Sequence, residues 1–95
     1  MAAYLVADIE VTDADGFKEY VAGSRPTVEQ YGGRYLIRGA KTRTIEGDVA
    51  PNRFVVLEFP DMAALDRWYE SDEYRSLREI RQRTAKSNIF VVEGT

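Results

Sequence analysis

Arg53-Phe54-Val55-Val56-Leu57-Glu58-Phe59 is almost uniformly apolar and rich in β-forming residues, which reads as a strand at the centre of a sheet, buried on both sides. Pro60-Asp61 stops the strand and caps a helix that turns Leu65, Trp68 and Tyr69 inward. Ser71-Asp72-Glu73 resembles a second helix start before Tyr74, Leu77 and Ile80. The apolar spacing slips by one between Tyr69 and Tyr74, so a kink is expected there. Asn88 to Glu93 reads as the last strand. Upstream of Arg53, Glu46 to Asn52 is loop by composition. Before it, Arg34 to Arg38 reads as a strand with Tyr35 and Ile37 on one face and Arg34, Leu36 and Arg38 on the other. Gly39 suggests a bulge or bend, with extended chain resuming over Lys41 to Ile45.

At the N-terminus, Tyr4 to Val11 alternates, placing Leu5, Ala7, Ile9 and Val11 on one face. Thr12-Asp13-Ala14-Asp15 supplies capping oxygens and negative charge for a helix start. Phe17, Tyr20, Val21, Ser24, Val28 and Tyr31 follow at helical spacing. Pro26 has no N–H to offer the carbonyl of Ala22, so a broken helix is expected, one piece ending near Ala22–Gly23 and the next starting near Pro26. Gly32-Gly33 ends it.

The resulting order, β-α-β-β-α-β, favours an α+β, ferredoxin-like sandwich over residues 1–95. It is a four-stranded antiparallel sheet with helices on one face, the first and third strands central. Two helices cover only one face of such a sheet. The other face then carries Val6, Asp8, Glu10, Arg34, Leu36, Arg38, Phe54, Val56 and Glu58, too apolar for water and too charged for an ordinary core. Packing two copies through this face is the favoured solution, against a monomer with a half-wet sheet.

The chain's 95 residues are 44% apolar and 12% aromatic, enough for a core, with a net charge of −3, the wrong sign for phosphate backbones. With no cysteine and no histidine, disulfides, thiolate chemistry and the commonest general base are absent. No apolar run is long enough for a membrane span and no charged-then-apolar leader opens the chain, so a cytoplasmic location is expected. An RNA-recognition reading lacks the basic-Gly-aromatic run that would stack bases on the third strand. No acids stand at a recognisable metal-ligand spacing, and no cofactor or metal is expected.

The chemistry expected on the second face centres on Asp8 and Glu58, taken as cross-strand neighbours or diagonals. Two carboxylates sharing a low-dielectric cavity raise one pKa and make an acid–base pair. Arg38 would instead pair with Glu58 and keep it ionised. A satisfied ion-pair network with no turnover is the plainer alternative. Trp68, Tyr69 and Tyr74 read first as core, with a minority reading in which Tyr69 or Tyr74 lines a small-molecule pocket beneath the kinked helix. Arg75, Arg78, Arg81, Arg83 and Lys86 read as complements to a helix C-terminal dipole.

Five stretches together resemble a known family. They are Ala7-Asp8-Ile9-Glu10-Val11, Tyr31 to Gly39, Glu46-Gly47-Asp48, Leu57-Glu58-Phe59-Pro60 and Trp68 to Tyr74. The family is domain of unknown function 1330, within the dimeric α/β-barrel superfamily. The likeness runs from Tyr4 to Gly94, with departures at Ala40, where a second glycine is usual, and Val49, where an aromatic is common. The resemblance implies a homodimer with facing sheets and no established activity. Related branches include cofactor-independent oxygenases, haem-degrading enzymes, chlorite dismutase-like proteins and muconolactone isomerase. Haem iron there is commonly held by histidine, so cofactor-free proton transfer or oxygenase-like chemistry is the enzymatic expectation.

The first reading is therefore a small-molecule-binding homodimer with Asp8 and Glu58 as catalytic candidates. Arg38 and Arg34 would contact substrate, and Trp68, Tyr69 and Tyr74 would wall the pocket. The second is a non-catalytic interaction homodimer whose buried charges set the interface. RNA binding is a weak third, and no membrane partner is expected.

Overall fold

Alternating burial at Ala3, Leu5, Ala7 and Ile9 builds β1 (Ala3–Val11), whose odd positions face the helices. Residues 1–95 are described by the computed structural model, the side chain of Ala40 excepted. After β1 come α1 (Ala14–Gln30), β2 (Arg34–Ala40), β3 (Arg53–Phe59), α2 (Met62–Glu70), α3 (Asp72–Thr84) and β4 (Ala85–Glu93). The sheet is antiparallel with strand order β2-β3-β1-β4, so β1 and β3 are central as expected. The fold is the α+β ferredoxin-like sandwich, with the helices on one face.

Capping side chains start each helix. Asp13 accepts from the Gly16 N–H, Asp61 from Ala64 at 2.8 Å and Ser71 from Tyr74 at 3.2 Å. The expected kink is a complete break: Ser71 ends α2 and caps α3. α1 ends in a Schellman arrangement, where Gly33 N–H bonds Val28 O and Gly32 N–H bonds Glu29 O. Gly32 sits at φ +82°, which a side chain would strain.

Four expectations are corrected. α1 is one helix from Ala14 to Gln30 with Pro26 inside it. The missing bond falls on the solvent side, where both Ala22 and Pro26 are exposed, so water reaches the freed carbonyl. Phe17, Ser24, Thr27 and Val28 hold the opposite face in the core on both sides of the proline. No strand forms over Lys41 to Ile45; the chain from 41 to 52 is loop. β4 begins at Ala85, directly after α3, rather than at Asn88. The fourth correction concerns β2, where the register against β3 shifts between Tyr35 and Ile37 and again between Arg38 and Ala40. Tyr35 stands opposite Leu57, but Ile37 stands opposite Val56 and Arg38 opposite Val55. The extra residue at Leu36 reverses the alternation, so Ile37 faces away from the helices and Arg38 turns toward them. Gly39, at φ +67°, carries the second irregularity and lies against the Arg53 side chain.

The core sits between the sheet and the helices, with Ala3, Val28, Phe59, Trp68, Tyr74 and Thr84 all nearly inaccessible. On the other face Leu36, Ile37, Phe90 and Val92 are 45%, 37%, 58% and 45% exposed. β3 is thus central but buried on one side only in a single chain, with Val56 half-buried. Pro26→Ala restores a donor to a helix already held in place on both sides. It should raise the free energy of unfolding by about 1–2 kcal/mol in urea titrations, the helix-interior penalty of proline offset in part by unfolded-chain entropy.

Candidate functional site

Between α1, α3 and the sheet lies a cavity of about 40 Å³. Leu5, Ala7, Ile9, Val55 and Leu57 form its floor, supplied by the inward positions of β1 and β3. α1 contributes Phe17, Tyr20 and Ser24, α2 contributes Trp68 and Tyr69, and α3 contributes Tyr74 and Arg81. Arg38 and Arg53 close the β2–β3 end. A cavity of this size holds a water or two, well short of the roughly 150 Å³ that admits benzene. An aromatic ligand therefore requires the wall to part.

The polar groups in this wall are organised. The Tyr20 and Tyr74 hydroxyls lie 2.7 Å apart, and Ser24 Oγ lies 3.1 Å from the Tyr35 hydroxyl. Trp68 Nε1–H donates to Thr27 Oγ1 at 3.0 Å, and Thr27 donates to Ser24 O at 2.6 Å. The Arg38 guanidinium stands 5.1 Å over the Tyr35 ring and that of Arg53 stands 5.6 Å over Phe17. Arg78 covers Tyr69 at 4.8 Å and donates to its carbonyl oxygen at 2.9 Å. Arg81 is 4% exposed, and no ion pair among the described residues involves it.

Burial, reinforced by Tyr74, pushes the Tyr20 hydroxyl well above the usual tyrosine range. Burial raises Tyr74 as well, against the opposing pull of Arg81. Burial alone would lower the pKa of Arg81, but the charge interactions and hydrogen bond with Tyr74, helped by Tyr20 and Tyr69, raise it overall. At neutral pH these hydroxyls stay protonated and the guanidinium stays charged. No aspartate or glutamate lines the cavity. The cavity is lined by hydroxyl, indole and guanidinium donors above an apolar floor.

The residues singled out from sequence divide between two places. Trp68, Tyr69, Tyr74 and Arg38 come together at this cavity, Arg38 only because the Leu36 bulge turned it inward. Asp8, Glu58 and Arg34 lie on the opposite face. Asp8 and Glu58 are neither neighbours nor diagonals, since Asp8 pairs with Phe54 while Glu58 pairs with Tyr4, four positions along β1. Asp8 accepts the Asn52 N–H at 2.8 Å, fastening the end of the long loop to β1. Glu58 pairs with Arg34, not Arg38, at 2.7 Å, as the two strands place them directly opposite. Arg34, and then Tyr4, hold the Glu58 carboxyl below its usual range, opposite to the raised pKa expected of a shared carboxylate cavity. Among the described residues, no three acidic side chains gather as a metal site.

Sequence reasoning missed Arg53, Arg81, Tyr35 and Ser24 as cavity groups. Arg53 was legible, being two residues before Val55 and four before Leu57 in a strict alternation. Arg81 lies one helical turn beyond Leu77 and two beyond Tyr74 on the inward stripe of α3, but its charge masked that position. Arg81 does stand in the last turn of α3, where its charge complements the helix dipole as expected, and its burial against the cavity is what the sequence reading did not anticipate.

The chain belongs to the family described as domain of unknown function 1330 (DUF1330), which matches residues 2–95. A protein of unknown function from Rhodopseudomonas palustris superposes with a TM-score of 0.81 at 18% identity, covering 99% of this chain and 82% of that one. A dimeric ferredoxin-like protein of unknown function from a Jannaschia species gives a TM-score of 0.74 at 15% identity, covering 99% and 100%. SnoaB, a cofactor-independent oxygenase from Streptomyces nogalater, gives a TM-score of 0.69 at 14% identity, covering 99% and 93%. No protein of curated function matches the chain. Identities this low establish the fold shared with these structures.

Because the Glu58 pKa is depressed in the folded chain, the ion pair's contribution to stability is present above the ordinary glutamate pKa. It is lost as pH falls through the lowered value. Arg34→Ala should move the Glu58 midpoint upward in a carboxyl-carbon NMR titration, with Tyr4→Phe giving a smaller upward shift.

Proposed function

We propose that this chain is a small-molecule-binding homodimer, each copy holding an aromatic, hydrogen-bond-accepting ligand between its helices and its sheet. The observation that carries this reading is the cavity wall, where Trp68 and four tyrosines meet three arginines with no carboxylate among them. Trp68, Tyr69 and Tyr74 would contact the ring, and Arg38 would contact an oxygen substituent at the β2–β3 end. Guanidinium and phenol donors favour the deprotonated form of a phenolic or enolic ligand. Chemistry there would start from the ligand's own acidity and need no cofactor, which accords with the fold being shared with a cofactor-independent oxygenase. Asp8 and Glu58 stand on the other face of the sheet and do not line this cavity, so this reading gives them no part in its chemistry.

The outer face supports the homodimer. Leu36, Ile37, Phe90 and Val92 form an exposed apolar surface across a sheet that also carries the Arg34–Glu58 pair. One fold neighbour is described as dimeric. A purely structural reading of the outer charges is favoured by their existing bonds, since Asp8 and Glu58 are already engaged by Asn52, Arg34 and Tyr4. In this assembly they set the orientation of the two sheets and take no part in turnover.

Titration with small phenols should produce saturable shifts concentrated at the Trp68 indole N–H and the Leu5 and Val55 methyls, with matching changes in Trp68 fluorescence. Shifts confined to the outer face, or none up to the solubility limit, would sink the ligand reading. Sedimentation equilibrium should give twice the chain mass for the wild type and a monomer for Ile37→Asp combined with Phe90→Asp.

A further inference from the structure

Two buried side-chain atoms lack a hydrogen-bond partner among the described residues, Nε of Arg81 and Oγ of Ser87. Most buried polar atoms in folded proteins are paired, so two orphans at one place call for an explanation. Both residues line the same groove of about 320 Å³ between α3 and β4, together with Gln82 and Ala85. Ser87 points into it because it stands opposite Ile9, on the helix side of β4.

Arg81 belongs to both spaces. It lines the inner cavity and the groove, as do Tyr69 and Ile89, so these three side chains form the wall that the two spaces share. Toward the cavity the guanidinium is engaged by Tyr74. Its Nε–H has no hydrogen-bond partner, and among the described residues no carboxylate forms an ion pair with it. A buried guanidinium without a counter-ion is stabilised by any anion that can reach it. Both unpartnered atoms are shut off from solvent in the closed chain, so an anion in the groove reaches the planar donor fork and the hydroxyl beside it once the Arg81 or Ser87 side chain turns.

We propose that this groove is a carboxylate subsite, in which Arg81 Nε–H and Ser87 Oγ–H donate to the oxygens of an aromatic acid whose ring lies in the cavity. The assignment rests on the cavity reading above and narrows the ligand from an acceptor-bearing aromatic to an aromatic carboxylate. One delocalised positive charge and two free donors match a carboxylate monoanion; a phosphate dianion would leave most of its acceptors unmet.

The test compares benzoate with benzyl alcohol, which has a similar ring and no charge, by NMR with the arginine Nε–H signals resolved. The wild-type protein should bind benzoate at least about tenfold more tightly, with the Arg81 Nε–H signal shifting on saturation. Ser87→Ala should weaken benzoate several-fold and leave benzyl alcohol unchanged. Arg81→Gln, which removes the charge, should abolish the preference, and Ser87→Ala, at a half-exposed strand position, carries the test if the glutamine variant does not fold. Equal affinity for both probes would overturn the subsite and leave the cavity reading standing. A benzoate preference whose shifts fall on Arg38 and Arg53 would also overturn it, placing the anion at the other end. If neither probe perturbs the cavity signals, the cavity reading fails and the subsite falls with it.

Discussion

The hydrogen bond from Trp68 Nε1–H to Thr27 Oγ1, at 3.0 Å, is the point through which the layers of this protein are joined. Trp68 is 1% exposed, and its ring lies 4.1 Å from Tyr74, 5.3 Å from Phe59 and 6.0 Å from Tyr69, centroid to centroid. One side chain therefore touches the sheet and α3 while bonding to α1. Through Thr27 and Ser24 the polar chain continues to the Tyr35 hydroxyl on β2. A buried indole N–H left without an acceptor is costly, so Thr27 must face inward and the phase of α1 is set. With α1 so placed, Phe17, Tyr20 and Ser24 line up along the cavity, and Pro26 is left on the outside where its missing donor does least harm.

That arrangement also explains why the space between helices and sheet is a cavity at all. Tyrosines whose hydroxyls must find partners cannot pack as freely as leucines would. Here the Tyr20 hydroxyl meets that of Tyr74 and the Tyr35 hydroxyl meets Ser24 Oγ, which fixes where each ring lies in the wall. Burial keeps those hydroxyls protonated while Arg38, Arg53 and Arg81 bring positive charge to the same wall. The interior is thus electropositive in a chain whose net charge is −3, because its acids lie elsewhere. Core and cavity wall are one set of residues, since the aromatic stripe that packs the helices on the sheet also lines the space between them.

The two faces of the sheet have separate tasks for the same geometric reason. Helices shelter one side, and the other is left with Leu36, Ile37, Phe90 and Val92 partly in water beside the Arg34–Glu58 pair. The bulge at Leu36 does two things at once: it moves Ile37 to the outer face and Arg38 to the inner one. A single extra residue in one edge strand thereby enlarges the exposed apolar surface of the outer face and adds a cation to the rim of the cavity.

Much of this was legible in the amino-acid order. The β-α-β-β-α-β succession, the central position of Arg53–Phe59, the capping roles of Asp13, Asp61 and Ser71, and the break between α2 and α3 all follow from local periodicity and from side chains bonding to nearby backbone. The convergence of Trp68, Tyr69 and Tyr74 was visible as a minority reading, since an aromatic stripe looks the same whether it fills a core or walls a pocket. The register that separates Asp8 from Glu58, the bulge that turns Arg38 inward, the survival of α1 through Pro26 and the burial of Arg81 were decided only in the folded chain. Each depends on contacts between residues distant in sequence. Alternation predicts which way a side chain points only until one unpaired residue shifts the count, and a charged side chain is buried only where partners from other elements surround it.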